Sequence, residues 1–290
     1  MAIDDAKKQL FSIRQRRIRP TTDDKILVSW NALMMKGYLD AYAALGDTSY
    51  LKAALKNARF LEKNLVASNG KVWRNYKNGK ASVDAFLEDY AFLARSFIFL
   101  YQATFDIHWL EKAKLITSFA VDHFRDAPSG LFYFAPTDGT LVARKIELAD
   151  NVLPSSNAVL AEVLYFLGEC YGLEDYKRMS FSMLNAVIAK IDTDGPVYAS
   201  WANLLGVFSY DLNEVAVMGE NAHTIRSEIM RYYNPTSLFV GGTDENLPLL
   251  INRSVAGQTM IYVCRNKICK LPLKNVDKVI VQLKLSTSSQ

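Results

Sequence analysis

Three stretches of this sequence would be apolar on nearly every side of a helix. They are SWNALMMKGYLDAYAAL from Ser29, EDYAFLARSFIFLYQATF from Glu88 and SNAVLAEVLYFLGECYG from Ser156. A helix with no polar face has to be buried on most sides. Each is followed, after a short break, by an amphipathic partner: YLKAALKNARFLEKNL from Tyr50, WLEKAKLITSFAVDHF from Trp109 and YKRMSFSMLNAVIAKI from Tyr176. In the first partner Leu51, Leu55, Ala58, Leu61 and Leu65 form one stripe while Lys52, Lys56, Arg59 and Lys63 lie off it, the pattern of a helix covering a core from outside.

The spacing repeats. Ala32 to Tyr50, Ala91 to Trp109 and Ala158 to Tyr176 are steps of 18 positions (50−32, 109−91, 176−158), and the unit recurs after 59 and 67 residues (91−32, 158−91). The breaks carry turn and cap residues: Gly46-Asp47-Thr48, Asp106, and Gly172 with Asp175. After each outer stretch comes a glycine-containing aromatic segment at Gly70–Tyr76, Gly130–Phe134 and Gly195–Trp201, each read as a short β-ribbon. Such self-similarity means stacked or ring-arranged units. An open superhelix competes, but all-round apolar helices alternating with one-sided ones favour an inner ring inside an outer ring. The expected fold is mainly α: a partial (α/α) toroid over residues 1–211, with short β-ribbons. A small α/β appendage is expected over 212–290. There Glu214–Gly219, Ser237–Gly242 and Met260–Cys264 read as strands, Asn221–Tyr232 as a helix, and Val276–Leu285 as a further strand.

Composition sets limits. Half the 290 residues are hydrophobic, enough for a large core and too apolar for disorder. A net charge of +4 is weak for nucleic-acid binding, and Arg14, Arg16, Arg17 and Arg19 read as a solvated helix end before Pro20. Three cysteines make no disulfide framework, and no signal segment follows Met1, so a soluble cytoplasmic protein is the expectation. The apolar stretches carry Lys36, Asp40 or Arg95 and read as buried helices, not membrane spans. Cys264 and Cys269 are read as buried small side chains in preference to a metal or redox pair. No metal or cofactor motif is present; His108, His123 and His223 have no metal-ligand spacing, and Gly241-Gly242 is too little for a phosphate loop.

The blocks Arg19-Pro20, Asp23-Asp24-Lys25, Ser29-Trp30-Asn31 with Leu33-Met34, and Phe86–Leu93 resemble the C-terminal region of the YyaL-type proteins. These are relatives of the spermatogenesis-associated proteins that carry an N-terminal thioredoxin-like domain. Asp106 with Trp109-Leu110, Asp150 with Pro154-Ser155 and Asn157, and more loosely Val263-Cys264, Cys269 and Pro272, extend the likeness over most of the chain. The resemblance implies the six-hairpin toroid shared by many glycosidases and sugar epimerases. It also implies a thioredoxin-like domain and further hairpins in full-length relatives, whereas this sequence shows neither and has no Cys-x-x-Cys. Ala32 stands where relatives tend to have Gly. The chain is accordingly expected to be truncated, split or shortened, and an incomplete ring is expected to self-associate through exposed inner-helix surface.

In a toroid the inner-helix N-termini converge on one face. The repeat places Asp23, Asp24, Trp30 and Asn31 there from the first unit, Asp84, Glu88, Asp89 and Tyr90 from the second, and Asp150, Ser155, Ser156 and Asn157 from the third. Trp30, Asp89 and Ser156 are register equivalents, as are Asn31, Tyr90 and Asn157. Trp73, Arg74 and Tyr76, with Phe132, Tyr133 and Arg144, would line the rim. Carboxylates, amides and aromatic faces suit sugar recognition, and two carboxylates flanking a glycosidic bond allow acid/base hydrolysis. Asp24, Glu88, Asp89 and Asp150 are the catalytic candidates. Against this, Asp23, Asp24 and Asp84 sit where N-caps are expected, and Asp89 can serve the helix dipole or pair with Lys25 or Arg95. Two functions stay open: a carbohydrate-active domain, hydrolytic if catalytic, or a non-catalytic binding or scaffold module accompanying a thioredoxin-like domain.

Overall fold

A computed structural model of the chain describes residues 2–136 and 144–285. Three hairpins form its body: α2 (Val28–Leu45) with α3 (Thr48–Leu65), α4 (Leu87–Thr104) with α5 (Ile107–Phe124), and α6 (Ser156–Tyr171) with α7 (Glu174–Asn185). Helices α2, α4 and α6 pack side by side as an inner row, each backed by its own partner. The first helix, α1 (Ala2–Gln15), precedes them and buries nothing, so Arg14 ends a solvated helix as its sequence suggests.

The 18-position step has a plain structural meaning. The inner helices end at Leu45, Thr104 and Tyr171, each 13 residues beyond the aligned alanine (45−32, 104−91, 171−158). Those alanines, Ala32, Ala91 and Ala158, are buried where the inner helices meet, because a methyl group lets backbones approach. Ser96 Oγ uses that proximity to reach the Ala32 carbonyl at 2.7 Å. The breaks are capped as their residues dictate. Gly46 and Gly172 adopt the left-handed C-cap conformation, and Asp47 and Asp106 accept the amides of Ser49 and His108. The third break differs: Asp175 caps nothing and pairs with Arg178.

The ribbons fare unequally. The first is a sheet of β1 (Ile26–Leu27), β2 (Trp73–Lys77) and β3 (Lys80–Asp84) in the order β1-β2-β3, all antiparallel. Among the described residues the second contributes a single bridge, Arg125 to Phe132. The third is corrected outright. Gly195–Tyr198 is a 3-10 turn leading into a fourth inner helix, α9 (Ala199–Ser209), which packs on α6. The outer stretch before it is also broken, into α7 and α8 (Ile188–Asp194). Val197, Tyr198 and Trp201 alternate no better as a strand than as a helix, and burial of Trp201 against the α6 side decides for the helix.

The remaining segment forms a four-stranded sheet, β5-β4-β6-β7, from β4 (Asn213–Met218), β5 (Ser237–Gly242), β6 (Met260–Arg265) and β7 (Ile268–Cys269). Strand β4 runs parallel to β5 and antiparallel to β6. Helix α10 (Ala222–Ile229) makes the crossover. The expected final strand is instead α11 (Val276–Leu283): Val279 and Leu283, four apart, face the core while Lys278 and Val281 do not. The sheet is tied to the hairpins by Gln102, whose Oε1 accepts the Phe239 amide at 3.0 Å. The architecture is therefore an arc of an (α/α) toroid with a small mixed sheet against it.

Candidate functional site

The N-termini of α4 and α6 open on a cavity of about 540 Å³. Its wall is the segment 146–156, completed by Glu88 and Phe134. That segment has no helix or strand of its own up to α6, so its backbone must be held by side chains and stray carbonyls. Asn157 joins this segment to the second ribbon. Its Oδ1 accepts the Phe132 amide at 2.9 Å, and its Nδ2 donates to the carbonyls of Phe132 at 2.9 Å and Glu147 at 3.1 Å. Trp201 Nε1 donates to the Leu148 carbonyl at 2.8 Å.

Asp150 is a second anchor. Its two oxygens accept the amides of Ser155 at 2.7 Å and Ser200 at 2.8 Å, joining the approach to α6 to the first turn of α9. Ser155 is the N-cap of α6. The cavity floor carries Ser156, whose buried Oγ has no hydrogen-bond partner.

Asp89 lies deeper and is fully buried. It accepts the amides of Ser29 and Phe86 and Nη1 of Arg74, each at 3.0 Å. Burial outweighs the Arg74 cation and the Phe86 amide and pushes its carboxyl up to about 6. Lys25 and Arg95, named as alternatives, are elsewhere: Arg95 pairs with Glu162 at 3.4 Å. Arg74 also holds Glu88 at 2.8 Å and lies 4.8 Å over the Phe86 ring, which is itself stacked on Phe134 at 4.8 Å. An arginine, a carboxylate and two stacked rings thus sit at one side of the opening.

Other expected site residues are dispersed. Asp23 and Asp24 are exposed and cap no helix; they pair with Lys25 and Lys77. Asp84 pairs with Lys71 on the ribbon at 2.7 Å, and Leu27 and Phe86 take the N-cap positions of α2 and α4. Trp30 is 62% exposed, away from the cavity, and Asn31 Nδ2 donates back to the Leu27 carbonyl at 2.8 Å. Tyr90 is buried, its hydroxyl accepting the Val72 amide at 3.0 Å. Trp73 and Tyr76 belong to the ribbon, and Tyr76 packs edge-on to Phe60. Tyr133 donates to Asp126 at 3.0 Å with Arg144 over its ring at 3.9 Å, but neither lines the cavity. Phe132 is fully buried. Glu147, which does line the cavity and pairs with Lys145, was not singled out from the sequence; it sits in a segment with no periodicity to mark it.

No group of three or more His, Cys, Asp or Glu side chains suited to a metal ion occurs among the described residues. Nor, among them, is any helix long and apolar enough to cross a membrane.

No protein-family model matches the chain. It is 25% identical to human spermatogenesis-associated protein 20 over 92% of this chain and 37% of that protein. It is 24% identical to an uncharacterized protein of Caenorhabditis elegans over 96% of this chain and 40% of the other. The chain therefore spans well under half the length of these curated relatives. Among solved structures, a family 76 glycoside hydrolase (mannosidase) from Bacteroides thetaiotaomicron superposes with a TM-score of 0.48 at 16% identity, over 58% of this chain and 45% of that one. An unsaturated glucuronyl hydrolase from Bacillus sp. GL1 gives 0.45 at 15%, over 59% and 49%. The sequence match, and not the superpositions, carries the comparison: over 92% of its length the chain is similar to spermatogenesis-associated protein 20.

Proposed function

We propose that the cavity at the starts of α4 and α6 holds a saccharide, and that Glu88, oriented by Arg74, is the carboxylate that meets it. One observation carries this reading. Of the four candidate carboxylates, Glu88 alone combines a place in the cavity wall with oxygens not committed to backbone amides. Asp89 and Asp150 are occupied by amides that hold the scaffold together, and Asp24 is a surface partner of Lys77. The Phe134 face beside Glu88 supplies the apolar surface that a sugar ring stacks on.

Hydrolysis needs two carboxylates flanking the bond. In this cavity the second is Glu147, with Glu88 and Glu147 as the acid/base pair. The commitment of Asp89 and Asp150 to scaffolding favours the second reading, a binding module without turnover. Titration with mono- and oligosaccharides, alongside turnover of aryl-glycosides and unsaturated uronides, separates the two. Turnover lost in both Glu88→Gln and Glu147→Gln, with binding kept, supports the hydrolase. Binding without turnover, weakened at least about tenfold by Glu88→Gln, supports the module. Absence of both rejects the saccharide site.

A further inference from the structure

The small sheet carries sulfur chemistry that the cavity does not use. Strands β4, β6 and β7 set Glu214, Cys264 and Cys269 in one row across the sheet: Glu214 pairs with Cys264, and Cys264 with Cys269. Directly opposed side chains in antiparallel strands share a face, with Cβ atoms about 5 Å apart. The two cysteines are joined as a disulfide, which corrects their reading as two buried small side chains. Cys264 is buried, and Cys269 lies on the exposed edge strand.

The surroundings of the pair are asymmetric. Nη2 of Arg253 donates to Cys269 Sγ at 3.0 Å. That arginine is positioned by Glu245, whose carboxylate accepts the amides of Asn252, Arg253 and Ser254 at 2.8, 3.0 and 2.9 Å, and its guanidinium lies 5.2 Å over the Tyr262 ring. On the other side, Glu214 is 2% exposed; one carboxyl oxygen accepts the Lys267 amide at 3.3 Å, and the other, Oε2, has no hydrogen-bond partner. Nη1 of Arg253 is likewise buried without one. Burial raises the Glu214 carboxyl above the ordinary range, so it keeps a proton to higher pH than a surface glutamate. The hairpin turn holds Asn266 and Lys267 in left-handed conformations, at φ 50° and 65°, which suit few non-glycine residues.

We propose that Cys264–Cys269 is a thiol–disulfide exchange site that takes two electrons from a dithiol, with Cys269 as the sulfur attacked. One thiolate of the reductant attacks the exposed Sγ of Cys269. A mixed disulfide forms there, the Cys264–Cys269 bond breaks, and Cys264 leaves as a thiolate that takes the proton of Glu214. The second thiolate of the reductant then attacks the reductant's own sulfur in the mixed disulfide. That step closes the reductant's disulfide and releases the Cys269 thiolate beside Arg253. The second thiol's proton returns to Glu214 through solvent. In sum one dithiol is oxidised and one disulfide reduced. In the reverse direction the Cys269 thiolate is the nucleophile, and its guanidinium neighbour favours the ionised form.

The experiment uses the whole chain, exposed to dithiothreitol or glutathione redox buffers, quenched with iodoacetamide and weighed intact. Cys170 is fully buried and reports unfolding. Two added groups with the fold intact, reversed by oxidised glutathione, are expected. Cys264→Ser should trap a mixed disulfide with glutathione at Cys269, and Cys269→Ser should not. Arg253→Gln should slow alkylation of reduced Cys269 about tenfold, with Arg253→Lys recovering most of the rate. Glu214→Gln should slow reduction while leaving that alkylation unchanged. The proposal is overturned if the pair is reduced only together with modification of Cys170, if the thiols do not re-pair, or if Arg253→Gln leaves the rate unaltered.

Discussion

The carboxylate of Asp89 accepts the backbone amide of Ser29 at 3.0 Å, tying the first turn of α4 to that of α2 across 60 residues of chain. The same group caps α4 and grips the ribbon through Arg74, so three elements depend on one buried charge. Its folded-state value of about 6 lies above the ordinary 3.8. Between those values the folded chain holds a proton that the unfolded chain has lost, so stability falls as pH rises from about 4 to about 6 and is level above. The contribution is roughly 3 kcal/mol. Urea unfolding from pH 4 to 7 should show this loss, and Asp89→Asn should remove it. An equal slope in the variant would assign the effect to another group.

Asn157 makes three hydrogen bonds, two to the Phe132 backbone and one to the Glu147 carbonyl, and so ties the cavity wall to the second ribbon. Asn157→Ala leaves the Phe132 amide and two carbonyls without it, at a cost of about 2–4 kcal/mol. Faster amide exchange around Phe132 and over 146–156 should accompany the loss. A variant with wild-type exchange there would show that the cavity wall is held by other means.

Gly241 allows β5 to pass close to its neighbours. A Cβ there would meet the Val217 carbonyl oxygen at 2.2 Å and the Phe105 ring at 3.0 Å. Neither backbone nor buried ring can yield cheaply, so Gly241→Ala should destabilise by about 2–4 kcal/mol, read as a lower Tm. This close approach, and not phosphate binding, accounts for the glycine.

Along α2, Trp30, Met34, Gly37, Ala44 and Leu45 are exposed, with Ala41 partly so, a largely apolar strip on an inner helix. Apolar strips of this kind drive association. Light scattering should show mass rising with protein concentration, and Trp30→Ser with Met34→Ser should reduce it. A clean monomer at high concentration would refute association through this face.

The hairpins were legible from the sequence because helix burial leaves a periodic mark. Constant spacing of Ala32, Ala91 and Ala158 from the breaks fixed where the inner helices end. Local chemistry also told true at Asp47, Asp106, Gly46 and Gly172, where the residue and the cap it makes are adjacent in sequence. The third ribbon was misread because Pro196 and the aromatics around it are equally compatible with a turn entering a helix. Val276–Leu285 was misread because a short apolar run carries too few periods to tell strand from helix.

By itself the sequence determined that inner and outer helices alternate and that their N-termini bring Glu88, Asp150 and Ser155 to one neighbourhood. Tertiary structure decided what each polar group does there. Asp89 meets an arginine 15 residues before it and an amide 60 residues before it, and Asp150 reaches an amide 50 residues after it. The same placement set Cys269 beside Arg253 and Cys264 across from Glu214. Whether a carboxylate or a thiol is committed to structure or left for chemistry depends on burial and on the donors that long-range packing delivers. Burial of a helix face is periodic, but the identity of those donors leaves no trace in the chain.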